Sequence, residues 1–286
     1  MQDQTILRLG TSAFTAAGWA GSFYPRDLPE RDYLSYYAQH FDAVEVDSTF
    51  YRTPAASTTR GWYEKTPKGF LFAAKVPQQI THEQMLVDCK EEVAGFLKVM
   101  DLLKEKLGPL LFQFPYFNRT KFKSGGEFVA RLQPFLKSLP AGYRFVVEIR
   151  NRQWLDAKFA DTLRERGVAV ALVDHPWMPR PAELFAKFDP LTAGFAYIRW
   201  LGDRKGIEEQ TKTWDRVILD PRPQLLEWVE VCRRIAKRKI QILAFANNHY
   251  AGHAPATIEM FRQLWGAKAA TAAIPSSKGA SGRLFD

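Results

Sequence analysis

The residues of this chain best suited to chemistry stand at the ends of apolar runs. They are Ser12, Glu45 and Asp47, Lys75, Gln113, Glu148 and Arg150, Asp174, Arg199, and Asn247 with Asn248. Strand side chains alternate between faces, so Glu45 and Asp47 share one face, as do Glu148 and Arg150. If Val44, Val46, Val147 and Ile149 turn toward covering helices, those polar residues turn inward. Burying so many charges costs on the order of several kcal/mol each unless they are paired. Proteins accept such a cost chiefly at functional sites. A space-filling ion pair remains the alternative for any single couple, such as Lys75 with a glutamate.

Several chemistries fit these residue types. General acid and base work places Glu148 first, with Glu45, Lys75 and Asp174 as the other catalytic candidates. Glu148 beside Arg150 would stay ionised, whereas Glu45 or Asp174 in a drier spot could hold a proton. A Schiff base at Lys75 needs a depressed pKa, and acidic neighbours push the other way. Metal binding could draw on Glu148, Asp174, His175 and His249, but the chain has 5 histidines and neither an HxH nor an HExxH spacing. No metal ligands are assigned; a divalent ion stays open, and nothing calls for a redox cofactor.

Anion recognition is better supported. Arg150 and Arg199 offer planar forks suited to carboxylate or phosphate. The segment from Asn247 to Pro255 leads into a helix whose free backbone N–H groups could seat an anion. The ligand-binding candidates are therefore Arg150, Arg199, Gln113, Asp47, Asn247, Asn248, Tyr51 and Trp154. Phe14, Phe50, Trp19, Trp177 and Trp200 also follow strand ends, where aromatic walls suit a sugar, base or ring. Each alone reads more readily as simple packing.

The elements that position these residues form a repeating pattern. Apolar runs span Ile6 to Gly10, Ala43 to Asp47, Phe70 to Lys75, Pro109 to Gln113, Arg144 to Ile149, Val168 to Val173, Phe195 to Arg199 and Gln241 to Phe245. Helical periodicity falls between them, over Arg31 to His40, Ser57 to Lys65, Lys90 to Lys104, Gly126 to Leu139, Asp156 to Arg166, a poorly defined piece near Ala182 to Lys187, Pro223 to Lys237, and Pro255 to Leu264. Strands apolar on both faces belong in a parallel sheet covered by helices. The expected fold is α/β, a single-domain (β/α)8 TIM barrel over residues 1–265, with an open doubly wound sheet as runner-up. Residues 266–286 read as a mobile Ala/Ser/Gly-rich tail. Gly108 and Gly167 are expected at helix-to-strand turns.

Composition narrows the partners. No stretch approaches the roughly 20 apolar residues that span a bilayer. Asp3 and Arg8 replace a basic-then-apolar leader, so a cytoplasmic protein is expected. Cys89 and Cys232 lie far apart without CxxC spacing and read as thiols. A net charge of +9 favours anionic partners, a small polar or phosphorylated molecule first and nucleic acid second. The densest basic cluster, Arg233 to Lys239, reads as a solvated helix end.

Longer motifs carry a resemblance. They include Gly10-Thr11-Ser12, Val44-Glu45-Val46-Asp47-Ser48-Thr49-Phe50-Tyr51, Lys75-Val76-Pro77, Leu110 to Pro115, Glu148-Ile149-Arg150 with Trp154, Tyr197-Ile198-Arg199, and Phe245-Ala246-Asn247-Asn248. Together they resemble the YecE-like barrels, a bacterial and archaeal domain of unknown function, over about residues 6–265. The resemblance implies a TIM barrel and marks Glu45, Lys75, Gln113, Glu148, Arg150, Asp174, Arg199 and Asn247 as site positions without roles. Trp200-Leu201-Gly202 departs from the Leu-His-Gly run expected there. Arg283-Leu284-Phe285 keeps only the end of a sliding-clamp-binding motif, which leaves clamp docking a remote partner. The leading expectation is an enzyme or binding protein for a small anionic or sugar-like molecule. The alternatives are a nucleic-acid or protein-partner module and a metal-dependent isomerase or nuclease.

Overall fold

A computed structural model describes residues 7–267. Eight parallel strands form one sheet in the order β1-β8-β7-β6-β5-β4-β3-β2. They are β1 (Leu7–Thr11), β2 (Ala43–Val46), β3 (Leu71–Lys75), β4 (Leu107–Gln113), β5 (Phe145–Glu148), β6 (Ala169–Asp174), β7 (Phe195–Trp200) and β8 (Gln241–Ala246). Nearly every residue of these strands is buried, because both faces are covered, one by the barrel interior and one by helices. The expected barrel is thus the observed architecture, and all the predicted strands are present.

The seam between β1 and β2 is closed by a side chain. Tyr37 is fully buried, and its hydroxyl accepts from the Thr11 amide at 2.8 Å and donates to the Ala43 carbonyl at 3.2 Å. It bridges backbone groups that a ladder would otherwise pair. Gly10 permits this approach, since a Cβ there would run into the Ala43 carbonyl.

The helices are α1 (Tyr33–His40), α2 (Ala56–Glu64), α3 (Lys90–Met100), α4 (Gly125–Ser138), α5 (Ala157–Arg164), α6 (Pro181–Lys187), α7 (Arg204–Glu208), α8 (Arg222–Lys237), α9 (Asn248–Ala251) and α10 (Ala254–Gly266). Side-chain caps set the starts of α4 and α5, as they do those of α9 and α10. Ser124 accepts from the Glu127 amide at 3.2 Å and Asp156 from the Phe159 amide at 2.8 Å. The helix expected to reach Lys104 stops at Met100, and a tighter turn continues to Lys106. Gly167 takes the expected left-handed conformation at φ 61°. Gly108 does not: it lies inside β4, where a Cβ would crowd the Phe72 carbonyl, so close strand packing is what it permits. Among the described residues no helix is long and apolar enough to cross a membrane. Residues 268–286, with Leu284 and Phe285, lie outside the described part.

Candidate functional site

Parallel strands deliver their last residues to one end of the barrel, and there the charges meet. Arg199, near the end of β7 and only 2% exposed, is the centre. Its Nε donates to Glu45 Oε2 at 2.8 Å, its Nη2 to Glu45 Oε1 at 2.7 Å, and its Nη1 to Glu148 Oε2 at 2.7 Å. One guanidinium therefore ties β2 to β5 across the barrel, using the fork geometry that suits carboxylates. Tyr197, also inward on β7, donates its hydroxyl to Glu45 Oε2 at 2.6 Å. Burial, followed by the nearby Glu45 charge, pushes that phenol well above its usual range.

A second layer lies nearer the solvent. Lys75 Nζ is 3.4 Å from Asp47 Oδ1 and 4.3 Å from the centre of the Phe50 ring. Thr49 donates to the Lys75 carbonyl at 2.7 Å, or to Val46 at 2.8 Å, which fixes the loop after β2 beside the end of β3. Arg150 Nη2 is 2.7 Å from Glu148 Oε1, and Arg150 Nε is buried without a partner among the described residues.

Side-chain exposure orders the cluster by depth. Glu45 and Glu148 are at 0% and Arg199 at 3%, while Lys75 reaches 10%, Arg150 22% and Asp47 35%. A ligand entering the mouth thus meets Lys75, Arg150 and Asp47. Burial raises the Asp47 carboxyl; Lys75 opposes this and Glu45 adds to it, and the net direction is upward. Burial likewise lifts Glu148, but Arg150, Arg199 and Lys75 outweigh it and hold the acid below its ordinary value. His82 is lowered by burial and then by Lys75, and His175 by burial and then by Arg150. Burial is the main cause at both imidazoles; Lys75 adds to it at His82, while at His175 Glu148, Asp203 and Asp174 oppose the effect of Arg150.

Other expected site residues serve different ends. Asp174 Oδ1 accepts from Arg180 at 2.7 Å, and Oδ2 accepts from Trp228 at 2.6 Å and Tyr250 at 2.8 Å. Asn247 caps α9 by accepting from the His249 amide at 3.0 Å, and Asn248 accepts from the Ala254 amide at 2.9 Å and from Trp19 at 3.2 Å. The backbone N–H groups expected to seat an anion before α10 are thus met in part by the chain's own side chains. Trp154 is buried against Phe117, Phe122 and Phe128. Gln113 donates to the Phe114 carbonyl at 2.8 Å, and Tyr51 is 74% exposed at the rim. Gly202 is required where it stands, because at φ 68° a Cβ would collide with the backbone of His249 and Tyr250.

Tyr197 and His82 carried no expected role, although Tyr197 precedes Arg199 by the spacing that puts both on one face. Among the described residues no group of three or more His, Cys, Asp or Glu side chains is placed to hold a metal ion.

Comparison with known proteins agrees with this architecture. A family model described as "Protein of unknown function DUF72" matches residues 8–280. The UPF0759 protein YecE of Escherichia coli strain K12 is 31% identical over 146 residues, 49% of this chain and 52% of that protein. The UPF0759 protein YunF of Bacillus subtilis strain 168 is 33% identical over 150 residues, 50% of this chain and 51% of that one. The match thus spans about half the length of these curated relatives. A crystal structure of a DUF72 family protein from Thermotoga maritima superposes with a TM-score of 0.70 at 26% identity, covering 91% of this chain and 98% of that one. One from Enterococcus faecalis gives 0.70 at 20% identity, over 92% and 96%.

Proposed function

The chain belongs to the DUF72 family, and we propose that it binds a small anionic, sugar-like or phosphorylated molecule at the carboxyl-terminal mouth of its barrel. One observation carries this reading. The deep acids are matched to Arg199, whereas the partly exposed Lys75 and Arg150 each meet a single acid and Arg150 retains an unpartnered Nε. Cations so placed have donors left for a carboxylate or phosphate. Asp47 is the most exposed carboxylate of the cluster, so it is the acid that an entering ligand would meet. Glu148, expected first for acid–base work, has no exposed surface and is held ionised; it supports the cations from below.

A thermal-shift panel of sugar phosphates, organic acids and nucleotides tests this proposal. A ligand at 100 times its Kd adds about 2.7 kcal/mol to stability, which corresponds to a rise of roughly 5–10 °C for a chain of this size. The expected rise disappears in Lys75→Met and Arg150→Gln. A shift that survives both substitutions would place the ligand elsewhere.

A second reading, single-stranded nucleic acid, rests on the rim. Tyr51, Tyr116 and Trp177 are 74%, 64% and 76% exposed on the loops after β2, β4 and β6, and Arg52, Arg119, Lys121, Lys123 and Arg152 are exposed on neighbouring loop positions. Bases stack on such rings while cations follow the phosphates. The expected signature is oligonucleotide affinity that falls steeply with salt and weakens in Trp177→Ala. Salt-independent binding, or none, removes this reading.

A further inference from the structure

We infer that the opposite, amino-terminal pole of the barrel carries a separate site for a compact oxyanion, formed by Arg8 and Arg144. Arg8 lies at the start of β1 and Arg144 immediately before β5. These strands stand far apart in the sheet order, yet both arginines line one cavity of about 610 Å³ beneath the barrel. Arg144 is fixed there: its Nη1 donates to Gln241 at 2.9 Å, and its guanidinium carbon is 5.7 Å from the centre of the Phe195 ring. Arg8 Nε is buried and has no partner among the described residues.

The lining does little to neutralise these charges. Neither arginine forms an ion pair among the described residues. Glu105 is the acid that borders the cavity; its own backbone and the Tyr63 hydroxyl at 3.2 Å favour its ionised form, and it forms no ion pair with either arginine among the described residues. The Tyr143 hydroxyl is turned to Asp101, with 2.9 Å to each carboxylate oxygen. Arg144 is lowered by burial and then by Arg8, so the two cations oppose each other in shared space. Gly69, Gly167 and Gly194 border the same cavity, and a Cβ at any of them would meet nothing within 4 Å. The entrance is therefore wide and without side-chain cover at those positions. Two arginines lining one cavity with an open approach suit a phosphate or carboxylate group, which would relieve their repulsion as it binds.

Titration calorimetry of the full chain with inorganic phosphate at low ionic strength tests the inference. The wild type is expected to show a phosphate-binding step that keeps its affinity in Arg150→Gln, where phosphate bound at the mouth is lost, and that weakens at least tenfold when Arg8→Gln or Arg144→Gln is added. Two results would overturn the proposal: bottom-face phosphate affinity unchanged in both Arg8→Gln and Arg144→Gln, or phosphate binding abolished by Arg150→Gln alone.

Discussion

Arg199→Met should lower the melting temperature by roughly 10 °C, the largest effect expected of any single change in the barrel interior. Methionine retains much of the side-chain volume but leaves Glu45 and Glu148 buried without the guanidinium that meets three of their four oxygens. Removing one partner of a buried ion pair typically costs about 3–5 kcal/mol, because the remaining charge stays desolvated. The pH dependence identifies the cause. In the wild type, Glu148 is held below the ordinary carboxyl value of 4.5. Its contribution to stability is therefore present above that value and lost as pH falls through the lower folded one. Without Arg199, burial of Glu148 acts with less opposition, and protonating Glu148 relieves the penalty. The gap between variant and wild type should accordingly narrow from pH 7 to pH 4 in calorimetric melts. A gap of constant size would mean lost packing, rather than stranded charge, accounts for the effect. Adding Glu45→Gln and Glu148→Gln to the variant should restore part of the stability at neutral pH.

The ion cluster was legible in the sequence because alternation along a strand is a local rule. Glu45, Glu148 and Arg199 fall on inward positions of runs that are otherwise apolar, so their meeting followed from the barrel itself. The strands were legible for the same reason, differing from expectation at their ends by a residue or two. What sequence could not show depends on partners far along the chain. Tyr37 looks like an ordinary apolar position of α1, and nothing local says that its hydroxyl closes the β1–β2 seam. Gly108 was read through backbone conformation when its reason is the neighbouring strand. α7 and α9 span 5 and 4 residues, too short for helical periodicity to register. Arg8 and Arg144 give no local signal of a site, because they stand where strands begin, at the pole where barrels seldom place chemistry.

Asp174 tests the same distinction between a residue that resembles a site group and one that is structurally committed. Its position at the end of β6 suggested catalysis, but its oxygens already accept from Arg180, Trp228 and Tyr250, which stand before α6, on α8 and on α9. Asparagine is nearly the same shape yet must turn an NH2 group toward at least one of these donors. A lost hydrogen bond to a charged group costs about 1.5–3 kcal/mol, and an orphaned buried donor adds about 1–3 kcal/mol more. Asp174→Asn should therefore destabilise the protein by about 2.5–6 kcal/mol, summing these terms. The signal should appear where the ties are: Trp228 is 1% exposed, so loosening α8 should shift tryptophan emission to longer wavelength before global unfolding. Ligand affinity at the mouth, measured on the folded fraction at low temperature, should stay within a few-fold of wild type. If Asp174→Asn instead melts like the wild type and abolishes binding or turnover, Asp174 belongs to the reacting groups and its hydrogen bonds serve to orient it.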